Sequence, residues 1–371
     1  MATHEIRLDT AKPLATQPDR GHNRRHPDIA PVLRVRPGDE VVIDTLDAAD
    51  AQLTPDAGVA QLGGVNLNRV HPLTGPIAVD GAEPGDALVV ELLECAPAAW
   101  GYTVQIPGFG FLRDEFPEPF LVRWRFTGGR AVSEELPGVA IPAAPFLGTV
   151  GVAPSADLLT EITRREEALL AAGGMVLPPE PGDALPSDPA VARHGLRTMP
   201  PRENAGNIDI PQAGVGTRLV LPVLLPGASF SAGDGHFAQG EGEACGTAIE
   251  MAGTWRLRFD LRKGGAAASG QRRLRLERDA AGPPPAEAGA FVATTGISVD
   301  TAGTNHGEDI TVAARDALRE MIELLVRERG FGRQQAYALC SVAVQLRISA
   351  LPDVPNMSVT ALLPLGIFDA T

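Results

Sequence analysis

Residues 253–263, GTWRLRFDLRK, read as one regular structure. Trp255, Leu257, Phe259 and Leu261 alternate with Arg256, Arg258, Asp260 and Arg262. A period of two is a strand with one buried and one solvated face. The same habit recurs at AEPGDALVVELLEC (82–95), where a Pro84-Gly85-Asp86 turn leads into a strand that puts Leu88, Val90 and Leu92 on one face. VLRVRPGDEVVIDTLD (32–47) repeats the device as two strands about Pro37-Gly38-Asp39. This echo suggests two edges of a sandwich or barrel. TRLVLPVLLPGASF (217–230) supplies a further strand. With 41 Gly and 33 Pro punctuating the chain, the expected fold is mainly β, an α+β chain of jelly-roll or β-sandwich-like units.

Helical patterns are few. SADLLTEITRREEALLAAGG (155–174) begins at a Ser155 cap and stops at a Gly pair. DITVAARDALREMIELLVRERG (309–330) carries Ala317, Met321, Leu324 and Leu325 on one face and ends at Gly330, and RQQAYALCSVAVQL follows as a shorter helix. Their apolar stripes read as core. The Pro- and Gly-rich run 173–205 is either an ordered surface excursion or a boundary, and 264–271 and 280–290 read as exposed loops. The expected organisation is therefore 1–150 mainly β, 151–205 a helix plus the excursion, 206–300 a second β unit, and 301–371 a small α/β portion, all in one assembly.

Bulk properties exclude several functions. The 371 residues are 44% hydrophobic with a formal charge of −14, which supports a large core and argues against nucleic-acid or anionic-membrane partners. No apolar run reaches the roughly 18–20 residues of a membrane span, and the first residues have no apolar signal core. Cys95, Cys245 and Cys340 form no CxxC pair, as expected for reduced thiols in a cytoplasmic protein.

Between two of the strands lies SAGDGHFAQGEGEACGTAIE (231–250). Asp234 and His236 stand two apart, just past the expected strand end, so that an extended backbone converges a carboxylate and an imidazole. That pair suits a divalent ion, zinc first, with calcium or another ion still open. Glu243 or Glu241 is a further ligand or the base acting on a water. PRENAGNIDI (201–210) brings Asn204, Asn207 and Asp209 before the strand leading into this motif. Two such turns flanking one hairpin are a common way to build a jelly-roll site. Asp209 becomes an extra ligand, and Asn204 and Asn207 become substrate donors. His26 and His71 are weaker metal candidates, more readily read as hydrogen-bonded loop residues. Cys245 is the competing nucleophile, but Glu241, Glu243 and Glu250 around it would raise a thiol pKa rather than lower it.

These blocks resemble the acetamidase/formamidase family. GDGHFAQGEGEACGTAIE is similar to its G-D-x-H-x-A-Q-G-x-G-E signature and PRENAGNIDI to its P-R-E-N-x-G-N-x-D segment. HNRRHPDIAPVLRVRPGD, HPLTGPIAVDGAEPGD, PFLGTVGVAPS, TTGIS and AYALCSVAVQLRIS follow its other blocks in order, from about residue 20 to the C-terminus. The resemblance implies a mainly-β fold, hydrolysis of short amides to carboxylate and ammonia, a bound divalent metal, often zinc, and homo-oligomers. The matching positions are Asn207, Asp209, Asp234, His236, Gln239, Glu241 and Glu243. Three departures bear on the substrate: Glu241 stands where the family has aspartate, Phe237 where it often has a small residue, and His71 where it has asparagine before Pro72.

The expected activity is metal-assisted hydrolysis of a formamide- or acetamide-like carboxamide, linear or cyclic. The alternatives are a Cys245-dependent amidase and a non-enzymatic metal-containing β-sandwich binding module. Amidase chemistries built on a buried lysine fit poorly, because the only lysines, Lys12 and Lys263, lie in the N-terminal tail and at a Gly/Ala loop.

Overall fold

The alternation at 253–262 becomes the second inner strand of a six-stranded sheet in a computed structural model that describes residues 1–279, 289–352 and 354–368. The order is Thr3–Ile6, Glu40–Thr45, Gly253–Arg262, Ala87–Pro97, Arg218–Pro222 and Arg275–Glu277, antiparallel except for the first pair. Trp255, Leu257 and Phe259 are fully buried. Arg258 faces outward and donates to Glu40 at 2.8 Å, and Arg256 pairs with Glu94. Both Pro-Gly-Asp turns enter this same sheet, on either side of Gly253–Arg262. They are also built alike. Asp39 and Asp86 each accept a hydrogen bond from the backbone N–H three residues upstream, at 3.1 and 2.8 Å, and Gly38 and Gly85 take φ of 90° and 96°, the conformation that this turn reserves for glycine.

An eleven-stranded sheet runs Ala140–Pro142, Arg130–Val132, Phe120–Thr127, Trp100–Gln105, Glu250–Met251, Phe230–His236, Phe146–Gly151 and Ala205–Asn207. Leu73–Val79 joins Phe230–His236 and carries Gly21–His22 and Leu33–Val35. The two sheets share one core. Phe230 from one meets Phe259 from the other edge-to-face at 5.5 Å. The segments 1–150 and 206–300 contribute strands to both sheets.

Helix Ala156–Ala171 starts at Ser155, whose hydroxyl accepts from Leu158 N at 3.2 Å. Ile310–Arg329 is capped by Asp309 and ends at Gly330 with φ 72°. It packs on a three-stranded sheet of Phe291–Ile297, Ser358–Pro364 and Gln345–Ala350. One reading changes and one left open narrows. The loop expected at 264–271 contains a short helix, Gly265–Ser269, because its alanine run favours helix and Ala266 buries against Ala87, Val89 and Val220. The excursion 173–205 is ordered: the Arg197 Nε–H donates to Pro178 O at 2.8 Å, Arg24 to Glu180 O at 2.9 Å and Asn23 to Asp183 O at 2.8 Å. The loop expected at 280–290 lies almost wholly outside the described residues.

His22 gives the fold a measurable acid sensitivity. It is buried, donates from Nδ1 to Arg24 O at 2.6 Å, and accepts at Nε2 from the Ser231 hydroxyl at 2.7 Å. Burial, then the Arg25 charge, push its pKa down from 6.5 to about 3. Between those values the unfolded chain binds a proton that the folded chain excludes, so this contribution to stability falls as pH falls. The slope amounts to at most about 1.4 kcal/mol per pH unit. Urea midpoints from pH 7 to pH 4 should show a slope smaller by up to one proton in His22→Gln than in the parent. Equal slopes would contradict the exclusion of that proton.

Candidate active site

The strand Phe230–His236 is buried throughout and lies between Phe146–Gly151 and two partners, Leu73–Val79 and Glu250–Met251. Asp234 and His236 lie within this strand, not past its end. Asp234 takes φ 58°, and the ladder to Phe146–Gly151 bonds Leu147 to Gly235 and Thr149 to Gly233, leaving Gly148 opposite Asp234 without a pairing. A Cβ on Gly148 would stand 2.7 Å from Asp234 Oδ2 and 2.8 Å from His236 Nε2. The missing side chain is what lets both residues fold over the neighbouring strand. Gly148→Ala should therefore displace them, lower any activity of the site about a hundredfold and cost about 1–3 kcal/mol of stability through overpacking. Retention of full turnover would show that the cradle is wider than drawn.

Strand register supplies a residue that the sequence reading did not place in the site. His236 pairs directly with Glu250, so the two side chains share a face. Asp209 arrives from the loop after Ala205–Asn207, where Ile208 and Asp209 N–H both donate to Gly148 O, at 2.8 and 3.3 Å. Glu243 sits in the loop after the strand with φ 44°. Helix Arg333–Ala343 pins that loop: Ser341 accepts from Cys245 N at 3.0 Å, and Tyr337 donates to Ala244 O at 2.5 Å. Asp209 also has positive φ, 45°, so three of the clustered acids hold a backbone conformation that costs non-glycine residues energy.

Ligand atoms of Asp209, Asp234 and His236 lie within 4.8 Å of one another, as do those of His236, Glu243 and Glu250. The imidazole tautomer follows from its neighbours. Gln239 donates its amide N–H to Asp209 O at 2.8 Å, so its oxygen accepts from His236 Nδ1–H at 2.9 Å. That leaves His236 Nε2, the nitrogen that can offer a lone pair to a cation, facing Asp234 Oδ1 at 3.4 Å and Glu250 Oε2 at 3.2 Å. Those two oxygens and Asp209 Oδ1 are buried and have no hydrogen-bond donor. A cluster of this kind can hold a cation or be neutralised by protons.

Without an ion, the crowded acids and the imidazole relieve their charge by taking up protons. Burial, against the pull of His236, raises Asp209 to about 8 and Glu250 to about 7. Burial and the adjacent Asp209 push Glu243 well above the usual range. Burial opposes ionisation of Asp234, but the His71 and His236 charges hold it below its ordinary value. Burial also opposes a charged His236, yet Glu250 and Asp234 together raise it.

The other expected residues are dispersed. Asn207 stays at the site, its Oδ1 accepting from the Thr149 hydroxyl at 2.7 Å, which leaves its amide N–H₂ for a ligand. His71 lines the same cavity, with Nδ1 3.3 Å from Thr149 Oγ1 and 3.8 Å from Asp234 Oδ2. Asn204 is turned away, donating to Val152 O at 2.7 Å. Glu241 accepts from Gln212 at 2.8 Å and pairs with Arg347 at 3.4 Å, outside the cluster. His26 lies 3.7 Å from Asp28 in a separate small recess with His22 and Arg25. Cys245 is fully buried, and burial pushes its thiol up to about 11, far from the thiolate that a nucleophile needs. Lys263 pairs with Asp86 at 2.6 Å and Lys12 with Asp9 at 2.8 Å, so neither reaches the cluster.

The cluster forms one end of a cavity of about 520 Å³ whose remaining wall is largely apolar. The model of the acetamidase/formamidase family matches residues 7–370 of the chain. A formamidase of Methylophilus methylotrophus is 35% identical, over 98% of this chain and 93% of its own. An acetamidase of Mycolicibacterium smegmatis is 37% identical, over 90% and 87%. In structure, a gamma lactamase from Delftia acidovorans superposes with a TM-score of 0.94 at 36% identity, covering 99% of this chain and 94% of that one.

Proposed function

The chain belongs to the acetamidase/formamidase family, and we propose that it hydrolyses a neutral carboxamide at a divalent-cation centre held by Asp209, Asp234, His236 and Glu250. One observation carries this reading: the donor-free carboxylate oxygens of Asp234 and Glu250 lie 3.4 and 3.2 Å from His236 Nε2, whose ring is held from its other nitrogen by Gln239, and a ligand atom of Asp209 lies within 4.8 Å of those of Asp234 and His236. Bonds of about 2.0–2.2 Å set tetrahedral donors roughly 3.3–3.6 Å apart, close to the separations of 3.4 and 3.2 Å here. Calcium, with six to eight oxygens at about 2.3–2.6 Å, fits this nitrogen-bearing set less well. Zinc is the ion proposed.

When bound, such an ion supplies Lewis-acid polarisation of the amide oxygen and makes a water more acidic. The chain's own groups do the rest. Asn207 donates its amide N–H to the substrate oxygen as negative charge develops there. Glu243, facing the cavity, takes a proton from the attacking water as the new C–O bond forms. It returns that proton to the nitrogen as the C–N bond breaks, so amide and water become carboxylic acid and ammonia. Asp209, against Glu243, raises the proton affinity of that base. A lactam opens by the same bond changes and keeps its nitrogen in the product. Gln239 and Thr149 position rather than react: one fixes the His236 tautomer, and the other holds Asn207 and contacts Asp234 at 3.1 Å.

Family membership extends the reading to a homo-oligomer. The three free cysteines fit a reducing, cytoplasmic setting, and among the described residues no helix is long and apolar enough to cross a membrane. Ammonia release from simple amides should vanish on chelation, return with zinc, and stay within a few-fold of the parent in Cys245→Ala. Turnover by metal-free protein that disappears in Cys245→Ala would establish the thiol mechanism instead. A metal-replete protein inactive on every amide and lactam would establish the binding module.

A further inference from the structure

We infer that the substrate is an amide whose acyl side carries an apolar body of branched-chain or ring size, selected by Leu62, Val65, Ile106 and Phe109. This rests on the amide hydrolysis proposed above and goes beyond it to the substrate class. The observation is the mismatch between the cavity and a formamide- or acetamide-sized molecule. Its volume, about 520 Å³, lies in the range of sites that enclose drug-sized ligands. The segment 48–70, the strand Trp100–Gln105 and the loop after it with Phe109 and Phe111 line the cavity, together with Leu177 and Met199.

The polar groups in this wall are already spent. The Tyr102 hydroxyl donates to Asp47 Oδ1 at 2.7 Å and accepts from Ala49 N at 3.1 Å. The Thr247 hydroxyl donates to Val104 O and accepts from Val104 N, both at 2.8 Å. Unspent side-chain polar capacity lies at the carboxylate end, at Asn207, His71 and the acids, and at Arg113 on the outer edge. An amide group therefore binds at that end, and whatever fills the rest of the chamber gains by leaving water. The acids there disfavour an anionic substrate. Arg113, a basic side chain of the lining, is exposed at the cavity edge. The lip is apolar too: Leu67, Phe109 and Leu177 line the cavity while 39, 42 and 45% exposed, an arrangement that marks a ligand entrance.

The test is kcat/KM for ammonia release from acetamide, butanamide, hexanamide and cyclohexanecarboxamide by the zinc-loaded full chain. Each added methylene should raise kcat/KM roughly fourfold until the chamber fills, with cyclohexanecarboxamide at least as good as hexanamide. Val65→Phe, which occupies the chamber, should lower the hexanamide-to-acetamide ratio at least tenfold. Phe109→Ala, on the exposed lip where folding is not at stake, should lower the same ratio several-fold through KM. A flat or falling series, with acetamide preferred, would overturn the substrate class and leave amide hydrolysis standing. A rising series with both variant ratios unchanged would overturn the assignment of the selecting wall. Absence of turnover across the whole series, at full metal content, would overturn the hydrolase reading on which it rests.

Discussion

Asp234→Asn protein should lose its divalent metal and its amide hydrolysis together, with kcat/KM falling about a thousandfold. Asparagine keeps the volume and the contact with Thr149, so the fold is undisturbed. What disappears is the charge of the carboxylate whose Oδ1 lies 3.4 Å from His236 Nε2. Loss of several kcal/mol of transition-state stabilisation corresponds to that factor. Metal content per chain, measured beside turnover, separates this account from a catalytic role without ligation. A variant that keeps both one equivalent of metal and activity within tenfold would remove Asp234 from the ligand set.

Glu243→Gln should behave differently: metal retained and kcat down by roughly 10²–10⁴, the usual contribution of a positioned base. The acid limb of the rate–pH profile should go with it, because a glutamine has no proton to lose as pH rises. Glu241→Gln is the contrast. Its carboxylate is engaged with Gln212 and Arg347, so turnover should stay within a few-fold of the parent. If Glu241→Gln proved the damaging change, the loop after the motif strand would have to rearrange in the working enzyme.

That contrast shows where the sequence stops being legible. Glu241 and Glu243 are equally plausible as letters, two apart on a glycine-rich loop. A left-handed backbone at Glu243 and the anchoring of the loop by Ser341 and Tyr337 decide which one enters the cluster. Asn204 and Asn207 divide for a similar reason, one consumed by Val152 O and the other left with a free amide end. Glu250 depends on register. Only the pairing of Glu250–Met251 with the motif strand sets it opposite His236, although an acid between Ile249 and Met251 in an apolar run was a signal available beforehand.

Local periodicity, by contrast, was readable. The alternation of residues 253–262, the Ser155 cap and the Gly330 stop all act over a few residues, and the structure follows them. Long-range topology was not. The hairpin expected between the Asn/Asp segment and the motif is interrupted by Phe146–Gly151, which pairs with both. The insertion brings Gly148 and Thr149 into the centre of the site, from a segment whose sequence carries no catalytic pattern of its own.

Anomalous diffraction at the zinc edge, on crystals of the active protein, locates the cation itself. The account predicts one peak per chain, bounded by Asp234 Oδ1, His236 Nε2 and Glu250 Oε2, with Asp209 beside it. Fully active crystals with no peak there, or with the three oxygens bridged by water alone, would contradict it.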